Sequence, residues 1–387
     1  MATDTAYAQR WQAITAQAAA AQHSLDKTAN TLLHIPVVFH VIYAQQGPDV
    51  ISEARVLSQL RVLNEDYQQL PGTPGASAGA NMQLAFFLAS QDPDGNCHSG
   101  INWVQSDLAV HNANSDQEEL DLKALSIWPN DRYLNIWVVD GFLDNGVLGY
   151  SSLPGDDAAI DGVVIGRDFV GVTTGSGSEF ALGRTGTHEV GHWLGLFHPF
   201  DDGCVGTAAS TCATLGDMVC DTAPMDEPSY TCRTTPPNSC TETPDAADPH
   251  RNYMDYLPDA CMDRFTPGQV ARVRTLLASH RSNIYSATNL ALAGRGSACT
   301  VTAAQGKQPA VPVRLHSLAQ AWEWTAAQGT EVYTVHILDG SGKTIHTLMF
   351  SNEKKAILQK DEIPKGLYLA AIYNRGRYVS SFKLLHP

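Results

Sequence analysis

The chain has 387 residues, of which 43% are hydrophobic and 17% charged, so it is long enough for two or three domains with buried cores. Its net charge of −15 argues against nucleic acids and anionic membranes as partners, and suits an exported soluble protein that meets divalent cations. No apolar run approaches the ~20 residues that a membrane-spanning helix needs.

The N-terminal segment, residues 1–33, is rich in alanine and glutamine, and Ala13–His23 has the pattern of a weakly amphipathic helix. This segment is either the remains of a pro-segment or an N-terminal cap. Met1–Asp4 lacks the basic and apolar regions of a secretory signal. Either a signal has been removed from the exported chain, which we expect, or the disulfides that the cysteines indicate do not form.

Residues 34–283 alternate predicted strands with helices, which predicts a mixed sheet with helices packed on it. Thr266–Gln269 has the N-cap, proline and glutamine that start a later helix. The strands are predicted at His34–Tyr43, Met82–Ser90, Tyr133–Asp140 and Gly162–Gly166, and the stripe of the first helix consists of Val56, Leu60, Leu63 and Tyr67.

A motif with metal-ligand spacing runs from His188 to His198. On a helix, His188 and His192 lie on one face, a single turn apart. Gly195 is placed to end the helix with a positive φ, which lets His198 turn back as a third ligand. Three protein ligands leave a fourth position open, as in catalytic zinc sites, and Glu189 would lie beside a metal-bound water as general base.

The alternative is a buried helix whose histidines are hydrogen-bonded core residues. The pattern disfavours it because other side chains on the same helix supply the core contacts, and because the extension to His198 has its own mechanical role. Those core side chains are Val190, Trp193, Leu194 and Leu196.

The long motif resembles that of the metzincin zinc endopeptidases. Asn252–Tyr256 supplies the methionine turn that such enzymes place beneath the zinc, and the run through Gln269 resembles the pappalysin family, in particular its ulilysin-like members. The resemblance extends over residues 34–283. The upstream segments that agree are Ile35–Val41, Leu63–Tyr67, Asp92–Asn96 and Asp161–Ile165.

This resemblance implies an α+β metzincin-like catalytic domain and a secreted zinc endopeptidase that cleaves proteins or peptides. It places Met254 under the zinc, where it packs, and Tyr256 near the metal, where a phenol can donate to an oxyanion. The alternative for Tyr256 is an ordinary buried tyrosine. The rival function is an inactive surface adhesion protein, but intact Glu189 and three intact histidines count against it.

The resemblance also implies that an edge strand at the upper rim of the cleft pairs with extended substrate. That strand would cover Gly149, Tyr150, Ser151 and Ser152, and the alternative is a plain edge strand. In some ulilysin-like members an acidic residue just before the cysteine after the methionine turn favours basic substrate side chains. Here Ala260 holds that position and Asp259 precedes it, so a lysine or arginine preference does not carry over directly.

Eight cysteines, six of them within residues 204–261, indicate disulfides in an oxidising compartment. None forms a Cys-x-x-Cys pair, so we expect no second zinc site. The resemblance implies the pairs Cys204–Cys240 and Cys232–Cys261. Cys212–Cys220 and Cys97–Cys299 remain, although an exchange of partners between Cys204 and the pair Cys212 and Cys220 stays open.

A calcium ion is expected in the loop between the zinc helix and the methionine turn, because residues 217–224 resemble a calcium-binding pappalysin segment. Hard oxygen donors suit calcium. The alternative is that these groups cap turns, as aspartate and threonine often do. The expected donors are Asp217, Asp221, Thr222 and the Cys220 carbonyl.

Beyond the catalytic domain, residues 284–312 have a linker composition and residues 313–387 the texture of a small antiparallel β-sandwich. Its tail, Lys365–His386, resembles the sorting domain of the type IX secretion system of Gram-negative bacteria, which implies an outer-membrane secretion machinery as partner. The alternative is an accessory domain that binds carbohydrate or protein. The strands are predicted at Val332–Ile337, Lys343–Phe350, Leu367–Tyr373 and Arg377–Leu385.

Overall fold

A computed structural model describes residues 31–44, 51–77, 79–144, 146–173, 177–205, 211–241, 245–296, 313–318, 320–326, 333–339, 344–350, 355–374 and 377–386. The chain divides into two compact units, one made of residues up to 44 with 59–299, the other of residues 45–58 with 300–387. The helix predicted at Ala13–His23 lies outside the described residues. None of the helices in the described ranges is long and apolar enough to cross a bilayer.

The first unit is built on a mixed sheet. Six of its described strands form one sheet in the order β2-β1-β5-β8-β7, with β3 also pairing with β1. All pairs are parallel except β7 with β8, so β7 is an antiparallel edge strand. The strands are β1 (Leu33–Tyr43), β2 (Leu84–Leu88), β3 (Ile101–Gln105), β4 (Val110–His111), β5 (Leu134–Val139), β6 (Gly141–Phe142), β7 (Gly149–Ser151) and β8 (Val163–Gly166).

Local capping signals position the helices. Ser115 and Ser286 accept backbone N–H bonds as N-caps, and Thr266 forms a capping box with Gln269. These elements confirm the predicted mixed sheet with packed helices. The helices are α1 (Glu53–Gln68), whose residues from Gln59 belong to this unit, α2 (Asp116–Ala124), α3 (Arg184–Trp193), α4 (Pro267–His280) and α5 (Ala287–Leu292).

Helix α5 lies in the segment for which the composition indicates a linker, and it packs within the first unit. The amide of buried Asn289 donates to the carbonyls of Arg132 and Ile284. The carbonyl of Ala293 accepts from the N–H of Ser90, and the Ala293 side chain is fully buried in a cluster with Trp128 and Tyr133. Residues 287–294 therefore continue the core of this unit.

The second unit contains two antiparallel sheets, in the orders β13-β10-β9 and β12-β11-β14-β15. They share one core that includes Trp322, Trp324 and Tyr333, which confirms the predicted antiparallel β-sandwich. The strands are β9 (Val313–Ser317), β10 (Ala321–Ala326), β11 (Tyr333–Leu338), β12 (Thr344–Phe350), β13 (Ala356–Gln359), β14 (Gly366–Asn374) and β15 (Arg377–His386).

Candidate zinc protease site

Three imidazoles converge where helix α3 ends. His188 and His192 leave the same face of α3, and Gly195, with a φ of +96°, turns the chain so that His198 faces them. The Nε2 atoms of His192 and His188 are 3.0 Å apart, those of His192 and His198 3.0 Å, and those of His188 and His198 3.2 Å. Among the described residues, these three form the group suited to hold a metal ion.

The outer nitrogen of each ring is fixed by an acceptor. Nδ1 of His188 donates to the Tyr253 carbonyl at 2.8 Å and Nδ1 of His192 to the Leu196 carbonyl at 2.8 Å, while Nδ1 of His198 donates to Asp201 at 3.1 Å. Because these acceptors require protonated Nδ1 atoms, the three Nε2 atoms present bare lone pairs to one another.

Converging lone pairs repel one another unless a cation lies between them. A tetrahedral zinc with nitrogen ligands at 2.0–2.1 Å requires nitrogens about 3.3 Å apart, close to the spacing found here. Burial, followed by the charge of His198, lowers the pKa of His192 to about 3, so its ring stays neutral and available as a ligand. The three histidines therefore fit a zinc ion held by three protein ligands.

Glu189 lies on α3 beside this group and is 7% exposed. Burial raises the pKa of its carboxyl to about 8. The edge strand β7 approaches it closely, because a Cβ at Gly149 would lie 3.0 Å from the Cγ of Glu189. Glycine at this position thus permits strand and carboxylate to meet at the same point.

The methionine turn packs beneath the histidines. The Met254 side chain is fully buried, and its sulfur lies so close to Gly191 of α3 that a Cβ there would collide with it. Asn252 shapes the turn, since its side-chain oxygen accepts the Met254 N–H at 3.0 Å. The turn therefore occupies the position that the resemblance implied.

Tyr256 lies at the mouth of the site and is 38% exposed. Its ring centroid is 5.0 Å from that of His198, 5.7 Å from that of His188 and 4.8 Å from that of Phe200. Burial, followed by the nearby charge of Glu189, raises the pKa of its phenol to about 12. The hydroxyl is therefore protonated at neutral pH and can donate, and its exposure distinguishes it from an ordinary buried tyrosine.

A cavity of about 1010 Å³ surrounds these groups. Its charged lining is acidic, and among the described residues it contains no lysine or arginine. The carboxylates of the lining are Glu189, Asp201, Asp255 and Asp259, and the uncharged lining includes Val147, Leu148, Leu153, Phe180, Phe197, Tyr230 and Met262.

The predicted substrate strand reaches this cavity in part. Gly149, Tyr150 and Ser151 line it, and the ring of Tyr150 packs into the core, with its hydroxyl 3.1 Å from His111 Nε2. Ser152 is 4% exposed and does not line the cavity, because its hydroxyl donates to Asp161 at 3.0 Å.

Of the two candidate residues before Cys261, the structure brings Asp259 to the cavity, while Ala260 is exposed and outside its lining. One oxygen of Asp259 accepts from the N–H groups of Leu182, at 2.7 Å, and Arg184, at 3.2 Å. The other oxygen is buried and has no hydrogen-bond partner among the described residues. Burial raises the pKa of this carboxyl to about 6.

Disulfides tie the loops around the site. The structure joins Cys204 to Cys240, Cys212 to Cys220 and Cys232 to Cys261, with Cα atoms 5.4, 5.0 and 5.6 Å apart. The pair Cys97–Cys299 involves Cys299, which lies outside the described residues. Two of the bridges match the pairs that the resemblance implied, and the third is the pair left over.

The groups expected to bind calcium make hydrogen bonds within the protein. Buried Asp217 accepts from the Val219 N–H at 3.0 Å and the Thr222 hydroxyl at 2.5 Å. Asp221 accepts from the Thr266 hydroxyl and the Gly268 N–H, both at 2.7 Å, at the start of α4. Cys220 takes part in a disulfide and is exposed. These are the turn-capping hydrogen bonds expected if the loop does not bind calcium.

Sequence reasoning did not find Asp201. Its two oxygens accept from Nδ1 and the backbone N–H of His198, so it orients the third histidine. The available signal was an aspartate three residues after a predicted ligand, the spacing of a local side-chain turn.

Comparison with known proteins agrees with this geometry. Residues 117–278 match the peptidase family described as pregnancy-associated plasma protein-A. A protein named extracellular metalloprotease from Verticillium alfalfae is 32% identical over 278 residues, which cover 70% of this chain and 84% of that protein. An extracellular metalloprotease 1 from Coccidioides posadasii is 32% identical over 257 residues, or 65% of this chain and 79% of its own length.

Solved structures of metallopeptidases are also similar to this chain. Mature mirolysin from Tannerella forsythia, in complex with a cleaved peptide, is 33% identical with a TM-score of 0.58, and the match covers 68% of this chain and 99% of mirolysin. A promirolysin variant from the same organism gives a TM-score of 0.62 at 32% identity, over 73% of this chain and 93% of that one. With its three histidines and Glu189 intact, the chain belongs to the pappalysin, or pregnancy-associated plasma protein-A, family of metallopeptidases.

Proposed function

We propose that the protein is a secreted endopeptidase in which His188, His192 and His198 hold one zinc ion. The observation that carries this proposal is the convergence of three bare Nε2 atoms, 3.0–3.2 Å apart, beside a buried glutamate at the floor of a large cavity. The extracellular metalloproteases among its relatives and the disulfides around the site support export.

Each group near the histidines has a role in hydrolysis. When bound, zinc supplies a Lewis acid that polarises the scissile carbonyl and acidifies a coordinated water. Glu189 accepts the proton of the attacking water and later delivers it to the leaving amine. Tyr256 donates its hydroxyl proton in a hydrogen bond to the oxygen that gains negative charge.

The edge strand β7 supplies the groups that hold substrate. It pairs with β8 on one side, and no strand within the described residues pairs with its other side. An extended peptide that adds to this edge gains backbone hydrogen bonds from Gly149 to Ser151, which depend little on its side chains. The inward Tyr150 ring and the buried Ser152 hydroxyl hold the strand rather than the substrate.

Asp259 is the proposed recognition group for a basic substrate side chain. Asp259 lines a cavity without lysine or arginine among the described residues, and one of its two carboxylate oxygens is buried without a hydrogen-bond partner among them. Other carboxylates, Asp201 and Asp255, add to the negative charge. A lysine or arginine side chain would supply the missing donor at Asp259.

Cleavage of azocasein with and without a zinc chelator tests the function. We expect chelation to abolish cleavage and added zinc to restore it. Equal cleavage in an excess of chelator, in a sample shown to contain no zinc, would exclude the proposed chemistry.

The proposal includes a structural calcium ion in the loop of residues 217–224, because a bound cation would stabilise the charged form of the Asp217 carboxyl. Burial raises the pKa of that carboxyl to about 7. After treatment with a calcium-selective chelator, millimolar calcium should raise the melting temperature. An unchanged melting temperature would mean that the turn and cap bonds of Asp217 and Asp221 hold this loop alone.

We propose that the C-terminal unit directs the protein to an outer-membrane secretion machinery. Support comes from the resemblance of Lys365–His386 to type IX sorting domains and from the antiparallel strands β14 and β15, which those residues form. In a host with that machinery, deletion of residues 313–387 should leave the protease in the periplasm. Unchanged release would favour an accessory binding domain.

A further inference from the structure

Asp66 lies in helix α1, in a segment to which the proposed mechanism gives no role. Its side chain is 1% exposed, and both of its oxygens are engaged. One accepts the hydroxyl of Tyr253 at 2.9 Å, and the other accepts the hydroxyl of Thr187 at 2.7 Å. Arg184 lies at 3.5 Å and offsets the buried negative charge.

The two residues whose hydroxyls donate to Asp66 belong to the two segments that hold the first metal ligand. Thr187 directly precedes His188 in α3. Tyr253 lies in the methionine turn, and its carbonyl accepts the Nδ1–H of His188 at 2.8 Å. A single carboxylate therefore joins the zinc helix to the turn that orients its first histidine.

Other contacts leave these groups little freedom. Thr187, Tyr253 and Tyr67 are all 0% exposed. The hydroxyl of Tyr67, the residue after Asp66, donates to the Thr187 carbonyl at 2.9 Å. The Tyr253 ring packs on Phe265, with centroids 4.7 Å apart. A shift of the Tyr253 hydroxyl would therefore move its backbone and, with it, the acceptor of His188.

We propose that Asp66 is a positioning residue for the metal: through Tyr253 and Thr187 it fixes the orientation of His188 and so raises the affinity of the site for zinc. Partners that orient metal ligands typically change metal affinity 10–100-fold when they are lost. This inference rests on the proposed zinc site.

The test compares two tyrosines that differ in their link to His188. Tyr253→Phe removes the hydroxyl that binds Asp66 and keeps the ring. Tyr133→Phe is the matched control, because Tyr133 is also 0% exposed and its hydroxyl bonds Gln91 and Arg132 within another core cluster. In the full-length apoprotein, zinc Kd is measured by competition with a chromophoric chelator, and apoprotein melting is measured separately.

We expect Tyr253→Phe to raise the zinc Kd about ten-fold or more, and Tyr133→Phe to change it less than two-fold, while both lower the melting temperature of the apoprotein. Asp66→Asn keeps one acceptor oxygen and replaces the other by an amide NH₂ group, so it should raise the zinc Kd as well. Both substitutions disrupt the same hydrogen bond, between the Tyr253 hydroxyl and Asp66. The Asp66→Asn/Tyr253→Phe double variant should therefore bind zinc no more than two-fold more weakly than Asp66→Asn.

Three results would overturn the inference. They are an unchanged zinc Kd in Tyr253→Phe, an equal rise of the Kd in Tyr133→Phe, and a double variant whose rise in Kd is the product of the two single rises. Tyr253→Phe decides the matter alone if Asp66→Asn does not fold. Failure of the unaltered protein to bind one zinc would instead contradict the proposed function.

Discussion

Burial gives the carboxyl groups of the cavity different tasks. It raises the pKa of Glu189 to about 8 and that of Asp259 to about 6. A dication held by the neighbouring histidines would lower the Glu189 pKa and bring it into the range where a carboxylate exchanges protons near neutral pH. Asp259 is tied instead to the backbone at the start of α3, so the role proposed for its other oxygen is recognition of a basic side chain rather than proton transfer.

A pH dependence follows for substrates with a basic side chain. Asp259 is charged above its pKa of about 6 and neutral below it, so its attraction for arginine is present at higher pH and lost as the pH falls through 6. We expect the ratio of kcat/KM for an arginine peptide to that for the citrulline peptide to fall as the pH is lowered from 8 to 5. The histidines affect both peptides, so their titration cancels in the ratio.

Asp259→Asn is the matched variant for this prediction. Its amide oxygen can still accept from Leu182 and Arg184, while the charge is lost. The ratio in this variant should be well below that of the unaltered protein at pH 8 and should no longer change as the pH passes through 6. A ratio that is independent of pH in the unaltered protein would contradict the assignment of Asp259.

Strand β7 approaches helix α3 closely at Gly149, where a side chain would press against Glu189. A Cβ at Gly149 would lie 3.0 Å from both the Cγ of Glu189 and the carbonyl of Val164, so the strand would have to move away or the glutamate would have to turn. Either shift, of a few tenths of an ångström, changes the position of the proposed substrate edge relative to Glu189. Because misplacement by about 1 Å can cost on the order of 10²-fold in rate, this smaller shift should cost several-fold.

Gly149→Ala should therefore lower kcat/KM about three-fold or more with zinc retained. Gly141→Ala is the control, because Gly141 lies in the short strand β6 and a Cβ there meets nothing within 4 Å. That control should stay within two-fold of the unaltered enzyme. Equal kcat/KM for the two variants would show that the close approach has no catalytic consequence.

The sequence predicted the elements with strong local signals. β1, β5 and β8 are predominantly apolar runs, and the histidine spacing predicted the ligand group. It missed β3, which is only five residues long, and α2, which is largely polar, and it missed β9, β10 and β13, although Trp322 and Trp324 alternate within β10. Asp259 was already a candidate in the sequence, but Asp66 was beyond sequence reasoning as a site residue, because its role depends on contacts with Thr187 and Tyr253, 121 and 187 positions away.

The two units differ in what they contribute to catalysis. All proposed zinc, acid–base and substrate groups lie in the first unit, before residue 263. Helix α5 belongs to the same unit: Asn289 donates to the carbonyl of Arg132, and Ala293, directly after the helix, accepts the N–H of Ser90. Each such group left unpaired costs about 1–3 kcal/mol.

Two shortened chains separate these contributions. A chain that ends at Gly296 should bind one zinc and keep kcat/KM for short peptides within two-fold of the full-length value. A chain that ends at Asn283 should melt at a lower temperature, since it lacks α5. Equal melting temperatures would contradict the structural role of α5, and an inert Gly296-terminated chain would contradict the catalytic independence of the first unit.

The most direct measurement of the central claim is the zinc content and kcat/KM of Glu189→Ala, determined on the same sample. Glu189 is not one of the three ligands, so the variant should bind one zinc per chain. It should lose at least about 10²-fold in kcat/KM, because the proton acceptor is gone. Near-normal cleavage with stoichiometric zinc would contradict the account.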